Sequence, residues 1–332
     1  MKRYILLLVS AIAVMACKSG KQNANEPTAD TIAISNCPAF VADSAMKHIE
    51  AQCAFGPRVT GTKAHAACGD YIVECFKGYG CQVTEQTMEL TAYDGTKLPG
   101  RNIIASINPD KADRIIICAH WDCRPWADHD PDKANQHTPI LAANDAASGV
   151  AVMLEMARVI QQQPLSYGVD FICFDAEDWG MPDWEDSEKY ADVEDSWCLG
   201  SNYWARNPHK ENYSARYGIL LDMVGGRGST FAMEGVSRYY ADTVVQMLWH
   251  LAKQIGYGSY FPIKDGGYVQ DDHVPLNEIA GIPCVDIIPH FDQGPSSFGP
   301  TWHTISDTPE NIDPAVLKAV GQSVLQMMYN DK

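Results

Sequence analysis

Ile115-Ile116-Ile117-Cys118-Ala119-His120-Trp121-Asp122 runs from unbroken apolar residues straight into residues of metal-ligand type. Three more apolar runs follow: Val169 to Phe174, leading into Asp175-Ala176-Glu177-Asp178; Ile219 to Leu221, leading into Asp222-Met223-Val224-Gly225; and Pro283 to Ile288. Continuous apolar runs of this length point to strands covered on both faces. Helical periodicity fills the intervals at Val150 to Gln162, Arg238 to Ile255 and Pro314 to Tyr329. Upstream, Ala42 to Cys53 and Thr62 to Tyr79 read as helices, and Gln82 to Leu90 and Asn102 to Ile107 as strands. The alternation predicts an α/β fold, a three-layer α/β/α sandwich around a mixed, mostly parallel sheet. In such a fold a site lies beyond the carboxyl ends of the strands.

The chain has 332 residues, 46% hydrophobic and 20% charged, with a formal net charge of −17. That charge repels phosphate backbones and anionic lipid, which argues against nucleic acid as a partner. Lys2 and Arg3 precede an apolar run from Tyr4 to Ala16, which ends at Ala16-Cys17. The run is too short for a membrane span and reads as a lipoprotein signal peptide over residues 1–16. A polar, aperiodic stretch follows, so residues 17–35 read as a flexible tether and 36–332 as a single catalytic domain. The expected location is outside the cytoplasm, in the periplasm, held to a bacterial membrane only by lipid on Cys17. Of the eleven cysteines none forms a CxxC pair; Cys118, Cys173 and Cys284 lie in apolar runs as small buried hydrophobes. Sequence does not fix any disulfide pairing or the oligomeric state.

Five polar features stand at or near the predicted strand ends: His120-Trp121-Asp122, Asn144-Asp145, Glu177-Asp178, Asp222, and Trp302-His303-Thr304. Singly, an acid at a strand end is an ordinary cap or loop residue. Together they supply the nitrogen and carboxylate donors that a catalytic zinc takes from scattered elements. Calcium draws oxygen donors, often closely spaced in one loop, so the histidines favour zinc. The adjacent acids Glu177 and Asp178 suit a division in which one holds metal and the other moves protons.

In order and spacing, the set His120, Asp145 within Asp145-Ala146-Ala147-Ser148-Gly149, Glu177-Asp178, Asp222 and His303-Thr304 resembles the di-zinc exopeptidase family, which includes secreted aminopeptidases. Within that group Asp222-Met223-Val224-Gly225, Gln270-Asp271-Asp272-His273-Val274-Pro275, Trp302-His303-Thr304 and Asp307 with Asn311 are closer to the glutaminyl cyclases of animal type found in bacteria. Asp178 and Asp286 depart from the animal pattern, which carries Glu and His there; the bacterial members share both positions and the Ser196-Trp197-Cys198-Leu199-Gly200-Ser201 stretch.

The resemblance implies one zinc on Asp145, Asp178 and His303, with Glu177 as general acid/base. It also implies that Asp222 and Asp271 bond the reacting groups and hold Glu177, and that Trp197 and Trp302 wall a side-chain pocket. The implied reaction is conversion of the N-terminal glutamine of peptides or proteins to pyroglutamate with release of ammonia. A zinc aminopeptidase with a second metal at His120 and Asp222 is the rival reading, and a non-catalytic peptide-binding lipoprotein the third. The acidic stretch from Gly180 to Asp195 reads as a solvated loop with no assigned role.

Overall fold

The computed structural model describes residues 32–190 and 196–331. One compact unit spans Ala33–Lys332. The signal peptide, Cys17 and most of the tether lie outside the described residues, as does the 191–195 part of the acidic loop.

Six strands form one sheet in the order β1-β2-β4-β3-β5-β6. They are β1 (Gln82–Thr91), β2 (Lys97–Ile107), β3 (Arg114–His120), β4 (Gly168–Phe174), β5 (Gly218–Leu221) and β6 (Cys284–Ile287). The β1–β2 hairpin and the β2–β4 pairing are antiparallel. The pairings of β4 with β3, β3 with β5 and β5 with β6 are parallel, so these four strands end on one edge of the sheet. Every residue of β3, β4, β5 and β6 is buried, as their apolar runs predict.

The helices are α1 (Ala42–Cys53), α2 (Lys63–Gly78), α3 (Ala147–Ile160), α4 (Leu199–Arg206), α5 (Gly235–Gln254), α6 (His273–Glu278) and α7 (Pro314–Asn330). Side chains alternate across a strand, and this assigns the layers. Ile116 and Cys118 of β3, with Ile172 and Phe174 of β4, pack against Trp204 of α4 and Leu276 of α6. On the opposite face Phe171 stacks with Phe76 of α2, ring centroids 5.7 Å apart. There α1, α3 and α7 pack on one another. Local sequence sets the helix starts. Thr62 caps α2 by accepting from the His65 N–H, and Asp313 caps α7 by accepting from Ala315 ahead of Pro314.

One glycine fixes how the layers meet at the site. A Cβ on Gly149, in the first turn of α3, would lie 2.1 Å from the Leu221 carbonyl oxygen. Only glycine lets α3 approach the end of β5 this closely, bringing Asp145 beside Asp222. Among the described residues no helix is long and apolar enough to cross a membrane.

Candidate active site

Buried carboxylates hold the site's backbone in place. Asp122, two residues beyond β3, accepts from the N–H groups of Glu177 (3.1 Å) and Asp178 (3.3 Å), tying the end of β4 to the end of β3. Asp307 accepts from Asn144 (2.7 Å) and Asp145 (3.0 Å) and so sets the segment before α3. Its pKa is pushed up to about 7 by burial and by the Asp145 charge, against the pull of those two N–H donors.

Asp145, Asp178 and His303 come together as expected, with one ligand atom of each within 4.8 Å of the other two. His303 Nε2 lies 3.2 Å from Asp178 Oδ1 and 3.7 Å from Asp145 Oδ2. Donors bound tetrahedrally at about 2.0–2.1 Å stand roughly 3.3 Å apart, so the trio fits a zinc-sized ion. All three residues are buried, and neither Asp178 oxygen accepts a hydrogen bond from the described residues. A buried carboxylate left with open lone pairs is a cation ligand in waiting. A second group lies beside the first: His120 Nε2 is 2.9 Å from Asp145 Oδ1 and 3.2 Å from Asp222 Oδ1.

The other expected catalytic groups divide. Asp271 joins Glu177 in a cluster with Cys198, whereas the described contact of Asp222 is His120. Burial raises the Glu177 pKa well above the ordinary carboxyl range; His120 opposes the shift, while Asp178, Asp271 and Asp272 add to it. Burial likewise lifts Asp271, helped by Asp222 and Asp272. Asp178 is held low despite burial, because His303 and Arg124 stabilise its charge.

A cavity of about 340 Å³ opens onto these groups. Trp197, Tyr268, Phe298 and Trp302 wall it, and Asp145, Glu177, Asp178, Asp222, Asp271 and His303 line it. Trp302 stacks on His303 at 3.9 Å between ring centroids. The Trp197 ring lies 9° from the plane of His303, and a Cβ on Gly180 would overlap it at 1.7 Å. None of the described residues 181–190 lines this cavity.

Sequence reading missed a buried pair behind His303 and Trp197. Arg124 and Asp128 are 1% exposed at their side chains and join Nε to Oδ1 at 2.7 Å and Nη2 to Oδ2. Asp128 Oδ1 lies 3.3 Å from His303 Nδ1, and the Arg124 guanidinium sits 4.6 Å over the Trp197 ring. The pair therefore backs both His303, a candidate metal ligand, and the Trp197 wall of the cavity. Asp128-His129-Asp130 looks like an ordinary polar loop in sequence, which is why it drew no notice. Cys198, Tyr268 and Phe298 were also missed as site residues.

Residues 102–328 match the model of peptidase family M28. The chain belongs to peptidase family M28. Among solved structures of M28-like chains, a Bacteroides thetaiotaomicron glutaminyl cyclase bound to N-acetylhistamine is 49% identical, with a TM-score of 0.86, over 90% of this chain and 100% of that one. A Zn-dependent exopeptidase from Parabacteroides distasonis is 48% identical, with a TM-score of 0.86, over 89% of this chain and 100% of that one. Among curated relatives, a Bacillus subtilis aminopeptidase is 29% identical over 82% of this chain and 53% of its own length. The glutaminyl-peptide cyclotransferase of Drosophila melanogaster is 25% identical over 77% of this chain and 72% of its own. The M28 chain thus spans about half the length of the Bacillus relative. Sheet order, flanking helices and family agree with the zinc exopeptidase-like α/β/α fold expected from sequence.

Proposed function

We propose that this M28 protein is a zinc-dependent glutaminyl-peptide cyclotransferase acting on peptides or proteins with N-terminal glutamine. The observation that carries the proposal is the small aromatic-walled cavity that ends on Asp145, Asp178 and His303 with Glu177 and Asp271 beside them. Trp197 and Trp302 hold the aliphatic part of the glutamine side chain, and the metal ligands face its γ-carbonyl. Asp145, Asp178 and His303 would hold one zinc, which when bound would supply Lewis acidity at the cavity floor. Folding the side chain back brings the α-amine against the γ-carbon, and this intramolecular geometry supplies much of the rate. Glu177 takes a proton from the amine and returns it to the departing ammonia. Asp271 stands in one cluster with Glu177, and burial raises the pKa of both.

The 49% identity to a bacterial glutaminyl cyclase across all of that chain supports this reading. A second reading, a two-metal aminopeptidase, is favoured by the grouping of His120, Asp145 and Asp222. Ammonia and free amino acid measured together on matched peptides starting with glutamine and alanine separate the two. The cyclase releases ammonia from the glutaminyl peptide and leaves the alanyl peptide whole. Release of amino acid from both peptides would replace it with the aminopeptidase. We further propose that residues 36–332 act as one catalytic domain and that the chain is exported, cleaved before Cys17 and lipid-anchored in the periplasm. The run from Tyr4 to Ala16 and the Ala16-Cys17 junction support that processing.

A further inference from the structure

A cluster with mixed sulfur and oxygen donors stands at the wall of the cavity and shares no residue with the two groups described above. Glu177, Cys198 and Asp271 each place one donor atom within 4.8 Å of the others. The Cys198 thiol donates to Glu177 Oε1 at 3.5 Å. Zinc with sulfur at about 2.3 Å and oxygen at about 2.0 Å in tetrahedral array sets those two atoms roughly 3.5 Å apart. Asp271 is 3% exposed; its Oδ1 accepts from the Asp272 N–H, and its Oδ2 accepts no hydrogen bond from the described residues. Glu177 and Asp271 line the cavity while Cys198 lies behind them, fully buried, so an ion entering from the pocket meets the two carboxylates first.

We propose that Glu177, Cys198 and Asp271 form a second, inhibitory site for a thiophilic divalent cation of the zinc type, which on binding occupies the oxygens of Glu177. Burial keeps the Cys198 thiol protonated, and the nearby acids Glu177, Asp272 and Asp271 reinforce this. Binding therefore releases the thiol proton to solvent as the sulfur–metal bond forms, and no redox change takes place.

The site stands whatever reaction the pocket carries; only the activity readout rests on the cyclase reading. Cobalt(II) is the probe, because a sulfur ligand gives it a near-ultraviolet thiolate-to-cobalt charge-transfer band. The Asp145, Asp178 and His303 trio contains no sulfur and cannot produce that band. The one-zinc holoenzyme is titrated with cobalt, following absorbance and glutaminyl-peptide turnover together. The expected result is a charge-transfer band that grows to one cobalt per chain while turnover falls in step. Cys198→Ser, checked for unchanged zinc content and circular dichroism and normalised to its own cobalt-free rate, should lose the band and need at least tenfold more cobalt for the same inhibition. Cys198→Ala serves if the serine variant does not fold. Absence of the band in wild type, an equal band in the Cys198 variant, or a saturated band with undiminished turnover would each overturn the proposal. Should no turnover be found on any glutaminyl peptide, the band alone still decides the site.

Discussion

Asp128→Asn removes a single charge and keeps the side chain's shape. In the wild type that carboxylate pairs with Arg124, both side chains being 1% exposed, and lies 3.3 Å from His303 Nδ1. Breaking a buried ion pair by neutralising one partner costs about 3–5 kcal/mol. Arg124 keeps the Asp178 and Gly180 carbonyls at 3.2 and 3.3 Å, and asparagine retains one acceptor, so the low end, about 3 kcal/mol, is expected without metal. A second effect adds to this when zinc is bound. Losing the partner that orients a metal-binding histidine weakens metal binding about 10–100-fold. With zinc in excess, that removes a further 1.4–2.7 kcal/mol, approximately, of linked stability. Denaturant unfolding of the zinc-free and zinc-loaded forms reads the two contributions separately, and competition with a chromophoric chelator reads zinc affinity directly. An equal stability loss in both forms, with unchanged zinc affinity, would refute the claim that Asp128 orients His303. The effect also has a pH signature. Although burial raises it, hydrogen bonds from Arg124 and His303 hold the Asp128 pKa below the ordinary range. A carboxylate with a depressed folded pKa stabilises above its unfolded pKa and loses that contribution as pH falls, so the gap between wild type and variant should narrow below about pH 4.

The ligand set predicts that Asp145→Ala, Asp178→Ala and His303→Ala lose zinc together with activity, read by metal analysis after dialysis, while His120→Ala keeps most of its zinc; equal depletion in His120→Ala would reassign the site. Glu177→Gln should keep zinc and substrate affinity but lose about 10²–10⁴ in turnover, the usual contribution of a positioned proton carrier; a variant near the wild-type rate would mean that Glu177 only orders its loop. Cys17→Ser should shift the protein from membrane to soluble fraction or leave it unprocessed, measured by fractionation and intact mass, and a wild-type product found only as an unmodified soluble form would remove the proposed lipid.

Much of this architecture was legible because burial on both faces leaves an unmistakable pattern. Ile115 to Cys118 is apolar throughout and Val169 to Phe174 is apolar except for Asp170, which pairs with Arg114; β3 adds one residue before its run and two after it, and β4 adds one before. The starts of α1 and α2 were readable for the same reason, since the apolar spacing and the Thr62 cap agree. β2 was harder: its first half, Lys97 to Arg101, pairs with β1 at the sheet's edge, where exposed and buried residues alternate. The short helices α4 and α6 were not anticipated. The first follows Cys198 in a left-handed conformation, φ 56°, and the second carries Pro275 in its interior.

At the site, the candidate ligands were legible because acids and histidines at the ends of apolar strands carry a pattern over the whole chain. Arg124 and Asp128 were not, because a buried ion pair is written by tertiary packing rather than by local spacing. The walls Tyr268 and Phe298 were hidden likewise, since aromatic residues in loops look the same whether they line a cavity or cover a core. Cys198 was read as part of a family stretch, and its approach to Glu177 exists only once the chain has folded.

The most direct test of the account is the fate of the substrate atoms. A peptide beginning with glutamine is incubated with the zinc-loaded enzyme in ¹⁸O-labelled water, and the products are weighed by mass spectrometry. Intramolecular attack by the α-amine predicts a peptide of unchanged length that has lost one ammonia and gained no solvent oxygen. A shortened peptide with free glutamine carrying one labelled oxygen would contradict it, because that product requires attack by water on the first peptide bond.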